Sequence, residues 1–136
     1  MEDKNILSKL RKREFRLNKI VANRIDKEPK DKIINIDQNI ECKILKKTKE
    51  NLSAKVDIKV FVDPEALFAV DLEYKVEVMF KEEVTDEEIE SNIDEIIAPL
   101  GPEVSYIIAS LTKKMFGGYI ILPPKIKVDK INELDK

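Results

Sequence analysis

Residues that could make or break bonds are scarce in this chain. It has no histidine and a single cysteine, Cys42. The commonest general base, the commonest metal ligand and any internal disulfide are therefore absent, which excludes zinc sites and Ser/His or Cys/His catalysis. Carboxylates are plentiful but fall at solvent-facing positions, with no nucleophile and base in view, so the sequence predicts no enzyme and no cofactor. What remains is apolar chemistry. Gly117-Gly118 releases Tyr119-Ile120-Ile121-Leu122, a run of large apolar residues that Pro123-Pro124 then stops from continuing as a helix or a central strand. Such a run must lie on something. It either plugs the protein's own core or forms a wall for another chain's apolar residues.

The elements that must position this run are legible from periodicity. Residues 1–14 read as a frayed arm or a short basic amphipathic helix. From Phe15 the pattern is strand-like but imperfect: Phe15, Leu17, Val21 and Ile25 share one parity, Ile20 and Ala22 the other, so a bulge is expected. The strand ends at Lys27-Glu-Pro-Lys-Asp. Three cleaner strands follow. Ile34, Ile36, Ile40, Cys42 and Ile44 alternate with polar residues, and only Gln38 interrupts the apolar face. Leu52, Ala54, Val56, Ile58, Val60 and Val62 alternate with Ser53, Lys55, Asp57 and Lys59. After a turn at Asp63-Pro64-Glu65, Phe68 to Phe80 alternates with Asp71, Glu73, Lys75 and Glu77. Period-2 segments joined by short connections predict a four-stranded antiparallel meander with one dry and one charged face. Cys42 falls on the dry face and reads as a small buried hydrophobe.

Helices come next. Thr85-Asp-Glu-Glu88 reads as a capping box ahead of Ile89, Ile93, Ile96, Ile97 and Leu100. Pro102 opens a second helix whose stripe is Val104, Ile107, Ile108, Leu111 and Met115, and Gly117 ends it. Residues 127–136 are charged and read as a frayed tail. The fold class is thus α+β in one 136-residue domain, with a sheet over 15–80, helices over 85–116, a crossover loop over 117–126 and the tail beyond.

Length then sets a problem. A strand over 66–80 would run about 50 Å at ~3.4 Å per residue, whereas a helix from 102 to 114 spans only about 20 Å. The remaining dry face must be covered by both helices end to end, by the Tyr119 to Leu122 run, or by another subunit. Leaving several aliphatics bare at ~1.5–3 kcal/mol each would exceed a small domain's stability margin, so an oligomer is expected. The net charge is −2, but residues 4–32 are basic while 82–103 hold nine acids and no base. That asymmetry argues against nucleic-acid binding. Met1-Glu-Asp-Lys lacks a signal-like start, and the apolar runs are too short to span a bilayer, so a soluble, cytoplasmic protein without membrane insertion is expected.

The order of elements and several short motifs resemble the SecB family of export chaperones. Phe15-Arg-Leu-Asn-Lys-Ile-Val resembles the family's opening strand, and Ile97-Ala-Pro-Leu-Gly-Pro-Glu-Val its helix entry. Gly117-Gly-Tyr-Ile-Ile-Leu-Pro-Pro-Lys-Ile is similar to its crossover loop, and Val78 and Phe80 fall near its strand-ending Gly-x-Phe. The resemblance covers about 15–126. It implies a sheet backed by helices, a homo-oligomer assembled as a dimer of dimers, and an ATP-independent holdase. Such a holdase binds unfolded or precursor polypeptides along apolar grooves and passes them to the SecA motor. The family's glycine before the phenylalanine is missing here, the helix-to-loop region carries an extra residue or two, and the tail Val128-Asp-Lys-Ile-Asn-Glu-Leu-Asp-Lys lacks the family's motor-binding end. A relative serving one dedicated client, such as an antitoxin, fits the same residues.

Under this reading Phe116, Tyr119, Ile121 and Leu122, with Ile107 and Leu111 on the helix, line the client-binding groove. The alternative for each is plain core or interface packing. Asp71 and Glu73 on the charged sheet face are the candidate motor contacts, against the alternative of a solvated strand surface. A small-molecule pocket between sheet and helices is a further class, for which Gln38 is the one polar pointer.

Overall fold

The computed structural model describes residues 5–26, 35–62 and 67–132. The turn at Asp63-Pro64-Glu65, the break at Lys27-Glu-Pro-Lys-Asp, Ile34, residues 1–4 and residues 133–136 lie outside the described residues.

Four long strands carry the fold: β1 (Leu10–Ile25), β2 (Ile36–Lys47), β3 (Asn51–Val62) and β4 (Leu67–Phe80). The first pairs antiparallel with the last, so the order across the sheet is β1-β4-β3-β2, and a short strand β5 (Lys130–Asn132) adds to the outside of β2. Period-2 patterning decides which side chains are dry. Leu52, Ala54, Val56, Ile58, Val60 and Val62 on β3, with Phe68, Val70, Leu72, Tyr74, Val76, Val78 and Phe80 on β4, are all buried on one face. The other face carries the charges, laced by Lys55 to Asp57 (3.6 Å), Lys55 to Glu73 (3.7 Å) and Lys75 to Glu77 (3.6 Å).

Four expectations need correction. First, the sheet is mixed and five-stranded, because part of the expected tail is a strand. Glu41, Cys42 and Lys43 of β2 pair in parallel with Lys130, Ile131 and Asn132. Asp129 fixes the register by clasping Ile40 twice: its amide donates to the Ile40 carbonyl (2.8 Å) and its carboxylate accepts from the Ile40 amide (2.7 Å). Second, β1 starts at Leu10, inside the expected arm, and the preceding helix is the single turn α1 (Ile6–Lys9). Of the two alternatives for this region the described part is the short helix, held by the buried Ile6 and by Lys9 paired with Glu88.

Third, the helix after the capping box is broken. Thr85 and Glu88 form the box, but α2 (Asp86–Ser91) stops at Asn92, whose side chain donates to the Glu88 carbonyl (2.7 Å), and α3 (Ile93–Ile96) restarts at once. Fourth, the long helix α4 (Leu100–Phe116) begins two residues before Pro102 and ends, as the glycine predicts, with Gly117 in the left-handed region at φ 82°.

The core is a single layer between the dry sheet face and these helices. At ~1.5 Å per residue α4 is about 25 Å long. With α2, α3 and the segment after Tyr119 it covers β3 and β4 completely, so the length mismatch is met within one chain for these two strands.

Candidate functional site

Among the described residues cover is incomplete along β1, and the reason lies in which side of α4 the following segment takes. After Gly117 the chain doubles back along the helix. The Ile120 amide donates to Thr112 Oγ1 (2.9 Å), Ser105 Oγ donates to the Leu122 carbonyl (2.8 Å), and Pro124 passes so close to Gly101 that a Cβ there would stand 2.3 Å from the Pro124 carbonyl oxygen. Gly101, Ser105 and Thr112 share one flank of a helix turning ~100° per residue. The segment then reaches β2 through Asp129, and Val128 donates its amide to Asp94 (2.8 Å). This strap therefore fills the side of α4 that faces β2 and β5. The opposite flank, which holds Glu103, Ile107, Leu111 and Lys114, looks toward the far edge strand, β1.

On that strand the expected bulge decides what is presented. The register slips between Leu17 and Lys19, so Phe15 and Leu17 pair with Val76 and Tyr74, while Ile20 and Ala22 pair with Leu72 and Val70. All four of those β4 partners are buried on the dry face. One extra residue at Asn18 thus brings the two parities together: Phe15, Leu17, Ile20 and Ala22 all face the helical side, and Val21 and Ile25 turn to the other. Phe15, Leu17 and Ala22 are half-buried, and Ile20 remains 45% exposed. Ile107 and Leu111 across from them are also only half-buried. The seam between β1 and α4, called the trough below, is thus lined by apolar side chains that pack against the core and are only partly covered.

Its ends can be located. Arg13 of β1 donates to the Ile96 carbonyl (3.2 Å) and the Glu95 carbonyl (3.4 Å), closing the end of α3 over the start of the strand. Tyr74, paired with Leu17, lies next to Glu103 in the first turn of α4. Burial and the neighbouring Glu103 carboxylate push the Tyr74 phenol well above its ordinary range, and its hydroxyl is buried without a good hydrogen bond. At the far end the Phe116 ring meets Phe68 at 6.1 Å, and the Arg24 guanidinium lies 5.9 Å over Phe116. Glu103 to Phe116 spans about 20 Å of helix, and Leu17 to Arg24 about 23 Å of strand, so the two walls run side by side.

The residues expected to form a groove consequently separate. Ile107 and Leu111 stand on the trough, and Phe116 caps its end. Tyr119 and Ile121 lie on the outer surface of the strap, 64% and 77% exposed, with Lys113 over the Tyr119 ring. Leu122 is corrected to a core residue: it is 6% exposed, because the strap turns it inward between α4 and the sheet. The β1 residues Phe15, Leu17, Ile20 and Ala22 were not among the expected groove residues, although the parity break in the sequence was their signal.

Asp71 is exposed on the charged face and Glu73 is half-buried in its ion pair with Lys55; both border a hollow of about 370 Å³. Gln38 marks no pocket, since Gly101, Val104, Leu122 and Ile126 close over it without room for a water. Cys42 is buried, and burial pushes its thiol up to about 11. Among the described residues no group of three acidic or cysteine side chains is placed to hold a metal ion, and no helix is long and apolar enough to cross a membrane.

Neither a family model nor a curated protein matches the sequence. Solved structures do. The Mycobacterium tuberculosis Rv1957 SecB-like chaperone, solved in complex with a ChAD peptide from the Rv1956 HigA1 antitoxin, is 14% identical, with a TM-score of 0.63 over 90% of this chain and 89% of that one. A protein of unknown function from Streptococcus agalactiae is 13% identical, with a TM-score of 0.52 over 81% of this chain and 94% of that one. The fold of this chain is SecB-like.

Proposed function

We propose that this chain is a chaperone that captures extended segments of unfolded polypeptide, without nucleotide, in the trough between β1 and α4. The observation that carries this reading is the bulge at Asn18, which puts Phe15, Leu17, Ile20 and Ala22 all on the helical face, where they, like Ile107 and Leu111 on α4, are only partly covered. Such a surface suits clients of varied sequence, because many small apolar contacts need no fixed side-chain geometry. A length of about 20 Å accepts about six extended residues at ~3.3 Å each. The edge of β1 away from β4 offers unpaired main-chain groups to the same client.

The SecB-like fold supports two destinations for the captured chain. Export through a SecA-type motor in the cytoplasm would use Asp71 and Glu73, and a dimer of dimers would give several troughs acting together. Service to one dedicated client is the second, favoured by the antitoxin peptide held by the mycobacterial neighbour. Light scattering of an unrelated reduced, unfolding protein tests capture itself. The reading expects suppression of aggregation at near-stoichiometric amounts without nucleotide. Absence of suppression, together with tight one-to-one binding of a single partner, would replace the promiscuous holdase by the dedicated one. Charge reversal at Asp71 and Glu73 that left motor binding unchanged would remove those two residues from the account.

A further inference from the structure

The walls of the trough are apolar, but its two ends carry opposite charges. Glu103 is exposed in the first turn of α4, within a stretch of nine acids and no base, and among the described residues no cation pairs with it. Beside it lies the buried Tyr74 hydroxyl, whose one acidic neighbour is Glu103 and which makes no well-formed hydrogen bond. At the other end Arg24 is exposed and lies against the Phe116 ring, and among the described residues no carboxylate pairs with it. A guanidinium 5.9 Å over a ring still has its N–H donors available for a carboxylate. The two charges are separated by the length of the trough, about 20 Å.

Resting on the reading of the trough as the client site, we propose that it selects segments by charge polarity. The favoured occupant is an extended chain with a Lys or Arg placed at Glu103 and an Asp or Glu placed about six residues away at Arg24, with apolar side chains between them. The long stem of a Lys or Arg can lie along Ile107 while its charged end reaches Glu103. An oppositely charged pair also fixes the direction of the bound chain, which apolar contacts alone leave open.

The test uses four labelled peptides of about eight residues, blocked at both termini, with one apolar centre and different ends: Lys and Glu, Lys and Lys, Glu and Glu, Gln and Gln. The expected order puts Lys and Glu first, binding ~2–10-fold tighter than Gln and Gln, as one or two exposed ion pairs would give. The advantage should vanish near 1 M salt, where screening acts within about 3 Å. Glu103→Gln should erase the gain from the lysine end and Arg24→Gln the gain from the glutamate end, while Glu83→Gln, exposed and away from the trough, keeps both. Equal binding of all four peptides would overturn the charge selection and leave the trough standing. Tightest binding by either like-charged peptide would also overturn it. Failure of all four to bind would remove the trough reading itself and this inference with it.

Discussion

Replacing Ile20 by Ser separates a client site from a packing site because Ile20 is only half covered. Full burial of an isoleucine is worth ~1.5–3 kcal/mol. With 45% of the side chain exposed, Ile20 already contributes about half of that, so Ile20→Ser should lower stability by about 1 kcal/mol. A client that covers the exposed remainder gains a similar amount, and losing about 1 kcal/mol weakens peptide binding about fivefold. Leu122 supplies the contrast. It is 6% exposed, so Leu122→Ala should cost ~2–5 kcal/mol of stability while folded protein keeps its affinity. Urea unfolding and peptide anisotropy on the same samples read both quantities. A loss of about 3 kcal/mol with unchanged binding in Ile20→Ser would refute the reasoning, as would weaker binding by folded Leu122→Ala than by Ile20→Ser.

Three further substitutions probe what holds the trough open. Thr112 is buried and accepts the Ile120 amide, so Thr112→Val should cost about 1–3 kcal/mol in unfolding free energy by stranding that donor, and should raise hydrogen exchange at Ile120 first. Removing the Tyr74 hydroxyl should be neutral or stabilising by about 1 kcal/mol, because Tyr74→Phe deletes a buried polar atom that lacks a good partner; a marked loss would mean that its contact with Glu103 matters. The Lys9 and Glu88 pair predicts a pH dependence. Its hydrogen bond with Lys9 holds Glu88 below its ordinary 4.5, so that part of stability is present above 4.5 and is lost as pH falls through the lowered value. The same bond holds Lys9 above 10.5, so the alkaline loss begins only beyond that. A urea midpoint followed against pH should show less acid loss in Glu88→Gln than in the parent; equal loss in both would exclude the pair.

Much of the fold was legible because its signals are local. Strict alternation from Leu52 to Val62 and from Phe68 to Phe80 can satisfy only a half-buried strand, and Thr85 with Glu88 can cap only a helix start. The parts that were not legible depend on distant partners. Residues 128–132 look like a charged tail until Asp129 meets Ile40, and a three-residue strand has no periodicity to betray it. The break at Asn92 is equally hidden, since Ile89, Ile93, Ile96 and Ile97 keep a helical spacing across it. The candidate site was half legible. Ile107 and Leu111 were expected to line a groove and are partly covered on the flank of α4 away from the strap, whereas Leu122 is taken into the core by a strap whose side of the helix no local pattern specifies. The parity change between Leu17 and Ile20 announced a bulge, and only the register with β4 shows that the bulge assembles one apolar wall.

The central claim is that extended polypeptide seats between β1 and α4. Hydrogen exchange of the full chain, with and without an excess of a reduced, unfolded protein, tests it most directly. Protection is expected along β1 from Phe15 to Arg24, where half-covered apolar side chains border an open strand edge, with little change at Tyr119 and Ile121. Protection confined to the strap around Tyr119 and Ile121, with β1 unchanged, would contradict the claim.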